Sequence, residues 1–214
     1  TARGGAGDDV SEMGDGNDVV FGHQGRDVID TGAGNDRIVA SSGDGNDVYN
    51  GGDGVDTLDL SALTSSVTVF LSASGVGSAV SSSGGSDTLR SIENVKGGAG
   101  NDVIVASSAA NVLEGGIGND IFVFNSAAAA NGDTISDFQD GDLIDLKPLF
   151  ASLNLSEDVA DHIAAAPSFT VAGQMRLRVE GEDTVVEGTT DADGDIDIAI
   201  RIAGRTDLNA NDFT

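Results

Sequence analysis

Aspartates recur in this chain at a spacing that could bind metal ions. They belong to a nine-residue pattern in which glycines precede each aspartate. The aspartates of the pattern are Asp9, Asp18, Asp27, Asp36, Asp47, Asp56, Asp102 and Asp120. Stacked carboxylates repel one another unless a cation lies between them. Because oxygen-only ligands suit a hard cation, the pattern predicts calcium binding.

The glycines of the same pattern predict tight turns, because glycine adopts positive φ without strain. Their main-chain carbonyls are further candidate ligands for the cation. The candidate glycines are Gly4, Gly7, Gly14, Gly16, Gly25, Gly32, Gly34, Gly43, Gly45, Gly52, Gly54, Gly98, Gly100, Gly116 and Gly118.

The elements that must position these turns are short strands. Each turn is followed by about three residues with a large apolar residue at the centre. These core positions hold Val20, Ile29, Ile38, Tyr49, Leu58, Ile104 and Phe122. Two turns and two strands make a coil of about eighteen residues, and stacked coils bury a thin core between two parallel sheets.

Stacking of such coils predicts which aspartates approach one another. Repeats two apart lie on the same edge, which places Asp9 over Asp27 over Asp47. The other edge stacks the remaining first-block aspartates, from Asp18 to Asp56. With the pair in the second block, these contacts predict about five calcium ions.

The pattern resembles the RTX, or hemolysin-type, nonapeptide G-G-x-G-x-D-x-U-x, in which U is a large apolar residue. The resemblance implies an all-β fold, a right-handed parallel β-roll that holds calcium between turns through aspartates and main-chain carbonyls. Ser11 departs from the pattern at a core position, and His23 and Thr31 replace motif glycines. A two-residue insertion, Ala40–Ser41, is expected to distort the Asp27/Asp47 site. A flexible glycine-rich linker is disfavoured, because linkers do not keep apolar residues in register.

Four segments are expected. Residues 1–59 and 97–124 form two repeat blocks, and residues 60–96 lack the glycine register. We interpret the intervening segment as an irregular excursion of the solenoid; the alternative is a boundary between two separate rolls. Asn111 and Leu113 mark a degenerate repeat at the aspartate and core positions.

Residues 125–214 are predicted to form a mostly-β cap. We expect a hairpin over residues 134–146 and a short helix from Ser156 to before Pro167. Strands are expected at Met175–Val179, Thr184–Glu187 and Ile196–Ile202, with alternate isoleucines of the last strand inward.

This region resembles the C-terminal region of serralysin-like proteases and other type I secretion substrates. The similar stretches include Asp133–Phe138, Asp142–Leu146 and the final Asp212-Phe213. The resemblance implies an uncleaved export signal, a dedicated exporter as partner during export, and a Gram-negative source.

Composition limits the partners. The chain carries 36 acidic and 10 basic residues, for a net charge of −26, which disfavours nucleic acid and anionic membranes. Self-repulsion predicts an expanded chain without metal, and no cysteine is present to form disulfides.

No apolar run of membrane-spanning length and no signal peptide are found, so we expect no membrane insertion. We expect a C-terminal piece of a longer extracellular or cell-surface protein, with its upstream domains as partners.

No catalytic constellation is found in the sequence. His23 and His162 form no H-E-x-x-H motif, and no G-x-S-x-G motif occurs. The run Asp191–Asp195 resembles a calcium loop, but Ile202 stands where an EF-hand needs glutamate.

We therefore predict a calcium-binding module, not an enzyme, that folds on extracellular calcium after type I secretion and supports a larger secreted protein. The alternative is a calcium-dependent adhesion, surface-layer or polysaccharide-binding module.

Overall fold

The fold is made almost entirely of short strands joined by glycine turns. The computed structural model describes residues 1–156, 162–163, 169–191 and 193–214. The strands of the first repeat block are β1 (Ala2–Ala6), β2 (Val10–Glu12), β3 (Val19–Gln24), β4 (Val28–Asp30), β5 (Arg37–Val39), β6 (Val48–Asn50) and β7 (Thr57–Asp59). The next strands are β8 (Val67–Phe70), β9 (Gly77–Ser81), β10 (Gly85–Arg90), β11 (Asn94–Lys96), β12 (Val103–Val105), β13 (Val112–Glu114) and β14 (Ile121–Val123).

The C-terminal strands are β15 (Asn131–Ile135), β16 (Leu143–Asp145), β17 (Met175–Glu180), β18 (Asp183–Gly188) and β19 (Ile198–Ile202). Among the residues that the structure describes, one short α-helix, α1, spans Lys147–Ser152, and 3-10 turns span Ala128–Ala130 and Ala210–Asp212.

Two sheets form as the chain crosses between them at each turn. Sheet A has ten strands in the order β1-β3-β5-β7-β11-β13-β15-β19-β18-β17. Sheet B has nine, in the order β16-β14-β12-β8-β9-β10-β6-β4-β2. Within the first block every pairing is parallel, with Val20 beside Ile38 and Ile29 beside Tyr49. The predicted all-β parallel roll is confirmed.

The core lies between the two sheets because side chains alternate along each strand. The apolar residue at the centre of each repeat strand points inward. The seven core residues predicted from the pattern are each at most 1% exposed. Burying one such aliphatic side chain contributes about 1.5–3 kcal/mol, which each coil gains only when its neighbours cover it.

Residues 60–96 remain within the roll. In sheet A, β7 pairs directly with β11, whereas in sheet B the three strands β8, β9 and β10 fill the corresponding place. Strand β9 runs antiparallel to both of its neighbours. Since each strand adds about 4.8 Å, sheet B is wider than sheet A here by about 10 Å. Buried leucines such as Leu60 and Leu63 pack in this part of the core.

The C-terminal region extends sheet A with an antiparallel group formed by β19, β18 and β17. The hairpin predicted over residues 134–146 is wrong, because β15 lies in sheet A and β16 in sheet B, as in another coil. Ile196 is 44% exposed, so the inward alternation of the last strand starts only at Ile198. The helix predicted after Ser156 lies largely outside the described residues.

Candidate metal sites

The aspartates that precede the sheet-B strands are linked from coil to coil. The amide of Asp9 donates to Asp27 Oδ1 at 2.9 Å, and the amide of Asp27 donates to Asp47 Oδ1 at 2.7 Å. The amide of Asp47 continues the series to Asp87 Oδ1 at 3.0 Å. We call this series ladder B. The structure thus brings together the three aspartates that the repeat pattern stacks, and adds a fourth.

The opposite edge carries a matching series, ladder A. The amide of Asp18 donates to Asp36 Oδ1 at 2.7 Å, and that of Asp36 donates to Asp56 Oδ1 at 2.8 Å. The amide of Asp56 then donates to Glu93 Oε2 at 2.9 Å. Farther along, the amide of Asn111 donates to Asp133 Oδ1 at 2.7 Å, so the degenerate repeat keeps the hydrogen bond of the series.

Ladder B resumes in the second block after an interruption. Asp102 Oδ1 accepts the amide of Val67 at 2.8 Å, so an apolar residue stands where another carboxylate would lie. The amide of Asp102 donates to Asp120 Oδ1 at 2.7 Å, and that of Asp120 donates to Asp142 Oδ1 at 2.9 Å. The carboxylates of ladder B therefore form two separate groups.

The second oxygen of many of these carboxylates is buried without a hydrogen-bond partner. In the ladders these atoms are Asp9 Oδ2, Asp27 Oδ2, Asp36 Oδ2, Asp56 Oδ2, Asp120 Oδ2 and Asp133 Oδ2. Asp44 Oδ1, in the turn before Asp47, is also buried without a partner. A buried acceptor left unpaired costs about 1–3 kcal/mol, and more when it is charged. Such oxygens are suitable ligands for a cation.

Glycine at the first motif position lets a carboxylate oxygen and a carbonyl oxygen approach closely. A β-carbon built on Gly97 would lie 2.8 Å from Asp102 Oδ2, which accepts the amide of Gly98, and 2.1 Å from the carbonyl oxygen of Gly115. On Gly4 it would lie 2.8 Å from both Asp9 Oδ2 and the carbonyl oxygen of Gly22. A carboxylate oxygen and a carbonyl oxygen thus converge where the glycine side chain is missing.

The other motif glycines bring carbonyls of one coil against the next. A β-carbon on Gly45 would lie 2.0 Å from the carbonyl oxygen of Gly25, and one on Gly54 would lie 1.8 Å from that of Gly34. The same contact joins Gly25 to Gly7, Gly32 to Gly14, Gly34 to Gly16, Gly52 to Gly32, Gly116 to Gly98 and Gly118 to Gly100. The β-positions of Gly7, Gly14, Gly16 and Gly43 make no such contact, since nothing lies within 4 Å of them.

The electrostatics of the ladders favour a bound cation or proton. Burial, and next the carboxylates around them, raise the pKa of Asp87 to about 7 and those of Asp56 and Asp120 to about 6. Burial alone raises the pKa of Asp133 to about 7. Hydrogen bonds from main-chain amides offset this effect only in part.

These donors fit calcium. Within the described residues, no three His, Cys, Asp or Glu side chains converge on one point. The oxygens come instead as carboxylates from adjacent coils and main-chain carbonyls. Calcium takes six to eight oxygen ligands in flexible geometry, so mixed ligands of this kind suit it.

The inserted Ala40–Ser41 leaves the hydrogen bond between Asp27 and Asp47 in place. The turn after the insertion buries Asp44, whose Oδ2 accepts the amide of Ser41. The hydroxyl of Tyr49 donates to Asp47 Oδ2 at 2.6 Å. Burial, and next Asp47, raise the pKa of Asp44 to about 6. Asp44, which lies between the motif glycines Gly43 and Gly45, therefore places a further buried carboxylate next to the ladder.

Four carboxylates of the ladders were missed. Three lie in turns that lack the glycine pattern, whereas Asp87 follows Gly85 at the motif spacing. All four precede a buried apolar residue by two positions, which is the signal that could have identified them. They are Asp87 before Leu89, Glu93 before Val95, Asp133 before Ile135, and Asp142 before Ile144.

Comparisons with known proteins agree with this architecture. The family described as "RTX calcium-binding nonapeptide repeat (4 copies)" matches residues 12–45. The family described as "Peptidase M10 serralysin C terminal" matches residues 47–214. No curated protein matches the chain. None of the described helices is long and apolar enough to cross a membrane.

Two solved structures are similar to the chain. The AlgE6R3 subunit from the Azotobacter vinelandii mannuronan C5-epimerase is 17% identical, with a TM-score of 0.42 and coverage of 94% of this chain and 80% of that chain. The extracellular lipase LipA from Serratia marcescens is 14% identical, with a TM-score of 0.30 and coverage of 97% of this chain and 38% of that chain.

The matched families describe calcium-binding repeats and a C-terminal region associated with secretion, not a catalytic domain. They mark the chain as a calcium-binding RTX module of a secreted protein. Because the serralysin C-terminal model covers well over half of its length, the chain belongs to the family of M10 peptidase serralysin C-terminal regions.

Proposed function

We propose that this module folds when it binds calcium outside the cell. The observation that carries the proposal is the set of buried, unpartnered carboxylate oxygens in the two ladders. In the unfolded chain, water hydrates these oxygens. Folding without a cation removes that hydration and leaves the oxygens without a partner. Calcium supplies positive charge and accepts several oxygen ligands at once.

The predicted ligands are the eight motif aspartates with the motif glycine carbonyls. The five aspartate pairs predicted from the repeats are joined by two further pairs, Asp47/Asp87 and Asp120/Asp142. Each pair unites residues 18 to 40 positions apart, so a site exists only when adjacent coils are stacked. Ligand binding to the folded state alone adds directly to its stability.

The negative net charge strengthens the coupling between calcium binding and folding. At −26 the chain repels itself when compact, and bound divalent cations reduce that repulsion. Extracellular calcium sites have dissociation constants of about 10⁻⁴ to 10⁻³ M, far above the calcium concentration of a cytosol. The chain would remain unfolded inside the cell, pass a type I exporter in that state, and fold outside. Membership in the serralysin C-terminal family supports this route.

Folding at the C-terminal end of a longer protein would also assist its upstream domains. Coils of a solenoid contact only their neighbours, so folding can begin at one end and propagate. The cap formed by β17, β18 and β19 covers the end of sheet A and provides a starting layer.

Far-ultraviolet circular dichroism during a calcium titration tests the proposal. Starting in chelator, we expect a cooperative coil-to-β transition at sub-millimolar to millimolar calcium, with magnesium at equal concentration producing none. Magnesium is the matched control because it has the same charge but demands octahedral geometry and releases water reluctantly. A chain that is already folded in chelator would contradict the proposal.

A further inference from the structure

At the end of ladder A in the first block, a repeat aspartate lies next to oxygens from residues outside the repeats. Asp56 is fully buried, and its Oδ2 has no hydrogen-bond partner. A β-carbon on Gly51 would lie 2.5 Å from that oxygen and 2.1 Å from the carbonyl oxygen of Ser91. Ser91 belongs to the segment without repeats, in the connection between β10 and β11.

This arrangement reproduces a repeat layer. In the second block, the β-position of Gly97 lies 2.8 Å from Asp102 Oδ2 and 2.1 Å from the carbonyl oxygen of Gly115. The carbonyl of Ser91 therefore takes the place that a motif glycine carbonyl holds elsewhere.

The backbone of Ser91 is strained in the conformation that allows this. Its φ is +48°, in the left-handed region that costs a non-glycine residue about 1–2 kcal/mol. Serine, unlike glycine, does not favour that backbone conformation. A ligand held by the carbonyl would offset the strain.

Glu93 completes the layer with a second carboxylate. Its Oε2 accepts the amide of Asp56 at 2.9 Å, just as Asp56 Oδ1 accepts the amide of Asp36 at 2.8 Å. The extra methylene of glutamate, relative to aspartate, lets the carboxylate reach the ladder from a turn without motif glycines. Two carboxylates and a carbonyl suit a hard divalent cation.

We infer that Asp56, Ser91 and Glu93 form a calcium site that joins the first repeat block to the inserted segment. The inference rests on the proposed function, since it extends calcium binding to residues outside the repeats. Its consequence is that calcium holds the turn before β11 against the last repeat coil. The chain is thereby held in place where it returns from β10 in sheet B to β11 in sheet A.

The test compares calcium stoichiometry in variants of the whole chain by equilibrium dialysis. Glu93→Gln removes one carboxylate charge, and Glu182→Gln is the control because it removes the same charge from an exposed turn. We expect Glu93→Gln to bind one calcium fewer than the wild type, and Glu182→Gln to bind the wild-type number. Equal stoichiometry and affinity in both variants would overturn the inference.

A second measurement keeps the test decisive if Glu93→Gln does not fold in saturating calcium. Carbon-13 spectra of the wild-type chain are then compared before and after calcium is exchanged for cadmium. Shifts of the Ser91 carbonyl and Glu93 carboxylate signals would support the site, and unchanged signals would overturn it. A wild-type chain that binds no calcium would instead contradict the proposed function itself.

Discussion

Tyr49 and Asp47 connect the apolar core with a metal ladder, because the tyrosine hydroxyl donates to Asp47 Oδ2 at 2.6 Å. Tyr49 is fully buried and is the single tyrosine of a chain that has no tryptophan. The core of the first block is therefore marked by one fluorophore next to the predicted ligands. This placement makes ladder B accessible to spectroscopy.

The first prediction uses this fluorophore. Terbium, which replaces calcium at oxygen sites, should emit when Tyr49 is excited, since energy transfer requires the two to be close. Tyr49→Phe should abolish the sensitised emission and leave the number of bound ions unchanged. Asp47→Asn, at the ligand position, should weaken the emission in a chain that keeps its tyrosine. Full emission from Asp47→Asn at low terbium would contradict the placement of an ion there.

The second prediction concerns pH. In the folded chain the pKa values of Asp56, Asp87, Asp120 and Asp133 are raised to about 6 or 7, from an ordinary value of 3.8. A raised carboxyl pKa favours the protonated folded state, so its contribution to stability is fully present below pH 3.8 and is lost as the pH rises through 6 to 7.

Without metal, the chain should therefore gain β-structure as the pH falls from 7 to about 5. Over the same range calcium affinity should fall, because protons compete for the same carboxylates. Circular dichroism in chelator and calcium titrations at each pH measure the two effects. A metal-free chain that loses structure on acidification across this range would contradict the assigned shifts.

The third prediction compares two glycines at the same motif position. Gly54 has φ +140°, and a β-carbon there would lie 1.8 Å from the carbonyl oxygen of Gly34. Gly16 has φ +123°, with nothing within 4 Å of its β-position. Gly16→Ala should cost about 1–3 kcal/mol from backbone strain alone. Gly54→Ala should lower the free energy of unfolding by clearly more, because the added β-carbon also clashes with the carbonyl oxygen of Gly34. Urea unfolding in saturating calcium measures both, and equal losses would contradict the close approach of the coils.

The fourth prediction concerns a carboxylate that lacks the glycine motif. Asp142 Oδ1 accepts the amide of Asp120, and its Oδ2 accepts the amide of Gln139. Asp142→Asn should reduce calcium affinity of the second block and lower stability by about 1–3 kcal/mol, because a charge-assisted hydrogen bond and a ligand are weakened. Asp140→Asn is the control, since the Asp140 side chain is 97% exposed. Calorimetric titration compares the two, and equal effects would argue against a role for Asp142.

The repeats made most of this architecture predictable from sequence. Glycines at fixed places and one apolar residue per strand determine both the turn and the inward face, so the repeat pattern alone assigns Val20, Ile38 and Leu58 to the core. Fixed spacing also predicts which aspartates meet, because coils of constant length stack in register.

Prediction failed where the chain leaves that spacing. The antiparallel β9 pairs with the strands directly before and after it, and its sequence carries no periodic signal. Glu93 reaches ladder A only because the chain returns from this excursion at the right height. The supposed hairpin after Ile135 was wrong because a turn without motif glycines still crosses between the sheets. The ligand roles of the eight motif aspartates remain predictions until bound ions are measured.

The most direct test of the central claim is urea unfolding of the chain at a series of free calcium concentrations. If calcium binds only the folded coils, the free energy of unfolding should rise steadily with the logarithm of calcium concentration, by about 1.4 kcal/mol per tenfold increase for each ion linked to folding near saturation. A slope that corresponds to several ions is the expected result. A free energy of unfolding that is independent of calcium, in a chain that remains folded in chelator, would contradict the account.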